Sequence, residues 1–398
     1  MGANASGKSN LRDAFRFLHG IGRGYSLGEI IGEAYGNSGE KVWEGIRGGN
    51  REIAFQGEPS FHLGLTLEHE DRFDHEFEKL HPTITRWRYD IEIFTKNNKA
   101  RVSNESLFSH SDSDSDPENS IFHSLPIADG ENSNEVIVKF SNGETPALNT
   151  SYPLIQQSEK QFSDLNIDLD CHSVINRLES MRFFEFLPYA LRRPSQPGIP
   201  ILKDGGGYLP SVLQLICQDD NKKTALISWI TALTPMDVVD LEFREDLSGK
   251  IVLFLKQGDG SAISASSASD GTLRFLGMLA ALLGPRRPQF IFLEEVDTGI
   301  HPTRLHLLVE LLERETAKGD LQIVATTHAP HLLTLLSPST LENTSLIYRL
   351  PEEHESRITR ILEIPTAREV LTRRDIARLF ASGWLENSVY FASGGDET

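Results

Sequence analysis

Four short stretches hold the residues best suited to chemistry. The first is Gly2-Ala3-Asn4-Ala5-Ser6-Gly7-Lys8-Ser9, a full match to G-x-x-x-x-G-K-[ST]. Its glycines let the backbone wrap closely round phosphates, so that N–H groups point inward. A helix beginning near Gly7 adds the positive end of its dipole. In such a cradle Gly2, Asn4, Ser6, Gly7 and Asn10 line the nucleotide. Lys8 reaches the β- and γ-phosphates, and Ser9 ligates Mg²⁺. The rival reading is a chance match in a tail, because a β-strand normally delivers this loop and the sequence leaves no room for one.

The second stretch is QFIFLEEVDTGIHP (289–302), an apolar run that ends in two carboxylates. Such a run reads as a buried parallel strand. Acids at its C-terminal tip sit where open α/β sheets bind ligands. Glu294 is placed to hold Mg²⁺ and Glu295 to polarise an attacking water. The plainer reading is a strand end entering a polar loop. The third stretch, LQIVATTHAPHLL (321–333), puts His328 just past another strand, on the same rim. An imidazole there can contact a γ-phosphate. His328 and His331 do not read as a metal pair, since Pro330 separates them and a third ligand is lacking. The fourth stretch is ASSASDGTLRFLGMLAALL (265–283). Ser269, Asp270 and Gly271 precede an apolar helix, which makes either an anion site or a plain N-cap.

The elements that must position these residues are legible in part. Helical spacing predicts a helix over 11–19 and helices over 172–191 and 209–233. Alternation at Phe61–Leu67, Trp87–Ile93 and Val136–Phe140 predicts an antiparallel β region. The acidic tract 109–120 reads as a loop. Strands are expected over 237–243 and 250–256. An α/β pattern then follows: strand 289–293, helix 302–317, strand 321–326, helix 330–336 and strand 344–350. The implied domains are an N-terminal lobe over 1–160, a helical insertion over 161–236 and a C-terminal lobe over 237–398.

Composition narrows the class. The 398 residues carry 39 Lys+Arg against 57 Asp+Glu, a formal charge of -18. A surface basic all over is excluded, so nucleic acid would need a local patch. Cys171 and Cys217 fit no metal spacing and read as small core residues. No apolar run reaches the roughly 18–20 residues of a membrane span. The residues after Met1 show no signal-peptide pattern, so a cytoplasmic protein is expected.

Taken in order, the four stretches resemble the ABC-type ATPase heads of the RecF, SMC and OLD group, and more closely the small AAA-family ATPases of bacteria and archaea. Gly2–Ser9 matches Walker A, and Phe290–Glu295 matches Walker B with Glu294 where many relatives have Asp. Ser269–Arg274 is similar to the signature. Thr326-Thr327-His328 matches the switch-histidine motif. Residues 296–302 resemble the D-loop, with Val296-Asp297 where Pro-Glu is common. The stretch 202–216 is also similar to one these proteins carry. The resemblance implies an α/β P-loop NTPase head with an antiparallel β subregion and a helical insertion.

It further implies that ATP and Mg²⁺ are the cofactors and that two heads form a homodimer around two ATP. Ser269 and Gly271 would then act in trans on the partner's γ-phosphate, with Asp270 beside them in the same nucleotide-binding corner, while Lys8, Glu295 and His328 serve hydrolysis. A DNA or nuclease-type partner protein, in DNA repair or phage defence, completes the expected function. Two rivals stand beside it: a non-hydrolysing ATP-gated interaction module, and a small-molecule phosphotransferase. Gln56 is the candidate Q-loop glutamine, and no adenine-stacking aromatic is identified. The missing strand is expected upstream of Met1. Residues 368–388 read as a basic helix too short for a nuclease domain. There Arg368, Arg373, Arg374 and Arg378 form either a patch or a solvated face paired with Glu369 and Asp375.

Overall fold

The computed structural model describes residues 7–55, 58–71, 83–96, 99–112, 119–125, 134–158, 165–234, 237–350, 353–364 and 367. They fall into two compact units, one of residues 10–180 and one of residues 1–9 with 181–398.

Helix α1 (Lys8–Gly22) leads into the first unit, whose frame is a six-stranded antiparallel sheet. Its strands lie in chain order: β1 (Ser60–Asp71), β2 (Thr83–Lys96), β3 (Lys99–Ser111), β4 (Asn119–Ser124), β5 (Glu135–Phe140) and β6 (Ala147–Asn149). The period-two residues Trp87, Tyr89, Ile91 and Ile93 are all buried, so one face of β2 makes the core. Phe17 of α1 meets Phe61 edge-on at 5.4 Å. Helices α2 (Leu154–Ser158) and α3 (Leu165–Glu179) follow the sheet. A Cβ on Gly22 would lie 2.3 Å from the Glu179 nitrogen, so only glycine lets α1 close on the end of α3.

The second unit holds a three-stranded parallel sheet of β7 (Arg182–Phe184), then, further along the chain, Phe290–Leu293 and Gln322–Ala325, with Phe290–Leu293 in the middle. Before those come α4 (Leu209–Ile216), α5 (Asp220–Leu233) and an antiparallel sheet of β8 (Val238–Glu245), β9 (Ile251–Gln257) and β10 (Ala262–Ser264). Then α6 (Asp270–Leu283) precedes β11, the strand Phe290–Leu293. Helix α7 (Leu305–Thr316) leads to β12, the strand Gln322–Ala325, and a hairpin of β13 (Ser345–Tyr348) and β14 (Arg357–Arg360) follows. Every side chain of β11 is buried, as a central parallel strand requires. Helix α6 is apolar on nearly all sides and sits inside the core with Leu213, Leu226, Ile230 and Leu308.

Several expectations change. The helix read over 172–191 stops at Glu179; β7 and a single turn at Pro188–Leu191 replace its second half. The cause is pairing, since Phe183 and Phe184 gain parallel partners in Phe292 and Leu293 that helical spacing cannot foretell. The helix over 209–233 is two helices, parted where Asp219 caps α5 by accepting from Asn221 and Lys222 N–H. The segment 330–336 forms a 3₁₀ turn, Pro330–Thr334, rather than an α-helix. The acidic tract 109–120 is shorter than expected as a loop, because β3 runs to Ser111 and β4 starts at Asn119. Residues 113–118 lie outside the described residues. Of the segment 161–236, α3 groups with residues 10–180, whereas α4 and α5 share the core of α6. Cys171 is fully buried, and burial pushes the Cys217 thiol up to about 11.

Candidate functional site

The site is built on one edge of the parallel sheet. β11 and β12 run in parallel with Leu293 opposite Ala325, and β7 flanks β11 with Phe184 opposite Leu293. Chain that follows these three residues therefore leaves the sheet at a common rim. Glu294 and Glu295 follow Leu293; Thr326, Thr327 and His328 follow Ala325. His328 is expected on the rim of the two acids because it follows a strand tip, and the register brings the ends of those strands together.

Glu294 is half-buried, and its N–H donates to the Phe184 carbonyl at 3.0 Å. Glu295 is exposed and holds its backbone at φ 45°, in the left-handed region that a side chain disfavours. Its N–H donates to Thr326 Oγ1 at 3.1 Å. Thr298 Oγ1 donates to Glu295 Oε2 at 3.2 Å. Thr298 and Arg274 line the same shallow crevice as the two acids. In the turn that follows, Asp297 Oδ1 is buried without a hydrogen-bond partner among the described residues. Buried polar groups normally find a partner, in protein or in ordered water.

The phosphate-loop residues in view are Gly7, Lys8, Ser9 and Asn10; Gly2, Asn4 and Ser6 lie outside the described residues. Gly7 takes φ 103°, and a Cβ there would lie 2.5 Å from Ser356 Oγ, so glycine is required on two counts. Lys8 opens α1 and is 9% exposed. Burial lowers its pKa, and the negative charge of Glu295 opposes that shift. Lys8 and Glu295, far apart in sequence, are therefore within electrostatic reach of each other. Ser9 is half-buried and Asn10 exposed in the first turn of α1. These residues fit a nucleotide with Mg²⁺: a glycine that admits close approach, a cation at a helix start, and a carboxylate within its electrostatic reach.

Ser269 is the N-cap of α6, with its Oγ accepting the Thr272 N–H at 3.2 Å. The capping reading is therefore satisfied. It leaves the hydroxyl proton of Ser269 for another acceptor when Thr272 Oγ1, 2.9 Å away, donates instead. Arg192 braces this corner, a role the sequence did not suggest. It pairs with Asp270 at 2.6 Å and donates to the Ala268 and Ser266 carbonyls at 2.9 and 3.2 Å. Gly271 abuts the turn beyond Glu295, where a Cβ would lie 2.0 Å from the Gly299 carbonyl oxygen. His328 is exposed, and Gln56, Arg368, Glu369, Arg373, Arg374, Asp375 and Arg378 lie outside the described residues.

Residues 1–334 match the model of the family described as "AAA domain, putative AbiEii toxin, Type IV TA system", and the chain belongs to that AAA-domain family. No curated protein matches the chain significantly. Similar solved structures include the SMC head domain from Thermotoga maritima, at 12% identity and TM-score 0.32, covering 90% of this chain and 88% of that one. A Pyrococcus furiosus Smc head with an extended coiled coil, bound to the C-terminal domain of ScpA, is 11% identical at TM-score 0.39, covering 94% and 91%. A Pyrococcus yayanosii Smc head with a coiled coil and joint is 13% identical at TM-score 0.29, covering 40% of this chain and spanning 29% of that chain's length. The chain is an α/β member of this AAA-domain family, with antiparallel sheets beside the parallel one. No helix among the described residues is long and apolar enough to cross a membrane.

Proposed function

We propose that this AAA-domain chain is an ATP-hydrolysing switch in the cytoplasm, which pairs with a second copy around two ATP and controls a DNA or nuclease-type partner. What supports it is that Lys8, buried at the start of α1, lies within electrostatic reach of Glu295 at the strand-end rim, whose charge opposes the fall that burial imposes on the lysine pKa. In this reading Gly2, Asn4, Ser6, Gly7 and Asn10 surround the nucleotide, and Lys8 neutralises its β- and γ-oxygens. Glu295 takes the proton of the attacking water as its oxygen bonds the γ-phosphorus and the bond to ADP breaks. His328 donates to the γ-phosphate. Ser9 and Glu294 would hold Mg²⁺, whose charge offsets that of the phosphates. Ser269 and Gly271 close on the partner's γ-phosphate, with the N-terminal dipole of α6 behind them and Asp270 held back by Arg192. The family's description names a toxin of a toxin–antitoxin system. That fits a partner-controlled switch in phage defence better than one in DNA repair.

Solution mass tests the reading, measured by light scattering on Glu295→Gln with and without Mg-ATP. A mass that doubles only with Mg-ATP supports it. A monomer that binds ATP overturns the trans role of Ser269 and Gly271. The second reading, a module that pairs on ATP without turnover, draws on Glu294 standing where Asp is common. Wild-type pairing with no phosphate release selects it.

A further inference from the structure

Glu295 is one of two non-glycine residues with positive φ among the described residues, and it stands at the proposed reacting centre. Left-handed backbone costs a side-chain-bearing residue roughly 1–2 kcal/mol, so something must hold it there. Three hydrogen bonds from a single residue surround the kink. Thr326 N–H donates to the Leu293 carbonyl at 2.9 Å, and the Thr326 carbonyl accepts from Val296 N–H at 3.0 Å. Between them, Thr326 Oγ1 accepts the N–H of Glu295 at 3.1 Å. The backbone bonds of Thr326 thus fix residues 293 and 296, and its side chain turns the peptide of residue 295 outward. Thr326 is buried at 7% exposed, so water competes poorly for these bonds. At the other end of the side chain, Thr298 Oγ1 donates to Glu295 Oε2.

We propose that Thr326 is a positioning residue: its hydroxyl holds Glu295 in the left-handed conformation that aims the carboxylate, with Thr298 fixing the carboxylate's rotation. The proposal rests on the hydrolytic reading for its kinetic consequence but not for its structural one. A valine at 326 keeps the shape and removes the acceptor, whereas a serine keeps the acceptor.

Steady-state hydrolysis of Mg-ATP by the full chain supplies the kinetic test. Thr326→Val is expected to lower kcat roughly 10- to 100-fold with KM little changed, as for a displaced catalytic group. Thr326→Ser is expected to restore most of it. Equal kcat in Thr326→Val and wild type, or equal loss in both variants, overturns the proposal. Thermal melts supply a test that needs no turnover. Glu295→Gly should melt a few degrees above Glu295→Ala, because glycine adopts positive φ freely. That gap should vanish when Thr326→Val is added. A gap of the same size in both backgrounds overturns the clamp. Wild-type chain without ATP turnover refutes the hydrolytic reading alone, and the melts then decide the clamp.

Discussion

At the scale of single residues, the two most informative carboxylates differ in how they could be found. Glu295 was legible because the chemistry of a phosphate loop and a strand-end acid is written in contiguous residues. Glu105 was not. It lies in the polar run VSNES, outside every strand that alternation marks, yet it is fully buried in β3. Tyr89 Oη–H donates to its carboxylate at 2.9 Å, and the N–H groups of Leu154 and Ile155 donate at 2.7 and 2.8 Å, so it caps α2. Burial pushes its pKa up from 4.5 to about 7, against those three donors. The folded chain therefore keeps a proton between about pH 4.5 and 7 that the unfolded chain has lost. The contribution of Glu105 to stability must fall as pH rises through that window and level off above it. Urea unfolding at pH 5 and pH 8 should show this as a difference between wild type and Glu105→Gln, with the slope weaker in the variant. Glu105→Ala should cost about 1–3 kcal/mol for each buried donor left unpartnered. A variant with the wild-type pH slope would refute the assignment.

At the scale of elements, period and turn chemistry located most strands and helices, but register and pairing were invisible. The strand β7 hid inside an apolar pattern, and only its parallel neighbour β11 makes it a strand. The same holds for the contact between the signature-like corner and the turn after Walker B. Gly271 looked like one glycine of an anion site. Its partner Gly299 has φ 84°, and a Cβ on Gly299 would sit 2.8 Å from Gly271 Cα. The first turn of α6 and the turn carrying Thr298 are thus seated backbone to backbone. Gly299→Ala should lose at least roughly 1–2 kcal/mol from its φ alone. It should also push the first turn of α6 aside. The expected result in light scattering is that ATP-dependent pairing weakens while binding of a fluorescent ATP analogue changes little, since Lys8 is untouched. Loss of both in equal measure would mean that this contact supports the fold generally and not the corner at Ser269.

At the scale of the whole molecule, net charge sets the terms of pairing. Each chain carries -18, and each bound Mg-ATP adds further negative charge. Two such chains repel at long range, and only local contacts through the nucleotide can favour their union. The Debye length is about 10 Å at 0.1 M salt, so repulsion between surfaces beyond that reach fades as salt rises. Contacts desolvated at the nucleotide are screened much less. Pairing of Glu295→Gln in Mg-ATP should therefore tighten as sodium chloride rises from about 50 to about 200 mM. Sedimentation velocity over a concentration series measures this directly. Binding to DNA must move the other way, because it releases counterions from the phosphates and weakens steeply with salt. The two salt dependences separate the two roles. Pairing that weakens with salt would place complementary charge at the interface itself, with Arg192 at the Asp270 corner and Arg274 in the crevice of Glu295 as candidate cations, and the long-range repulsion would then be the lesser term.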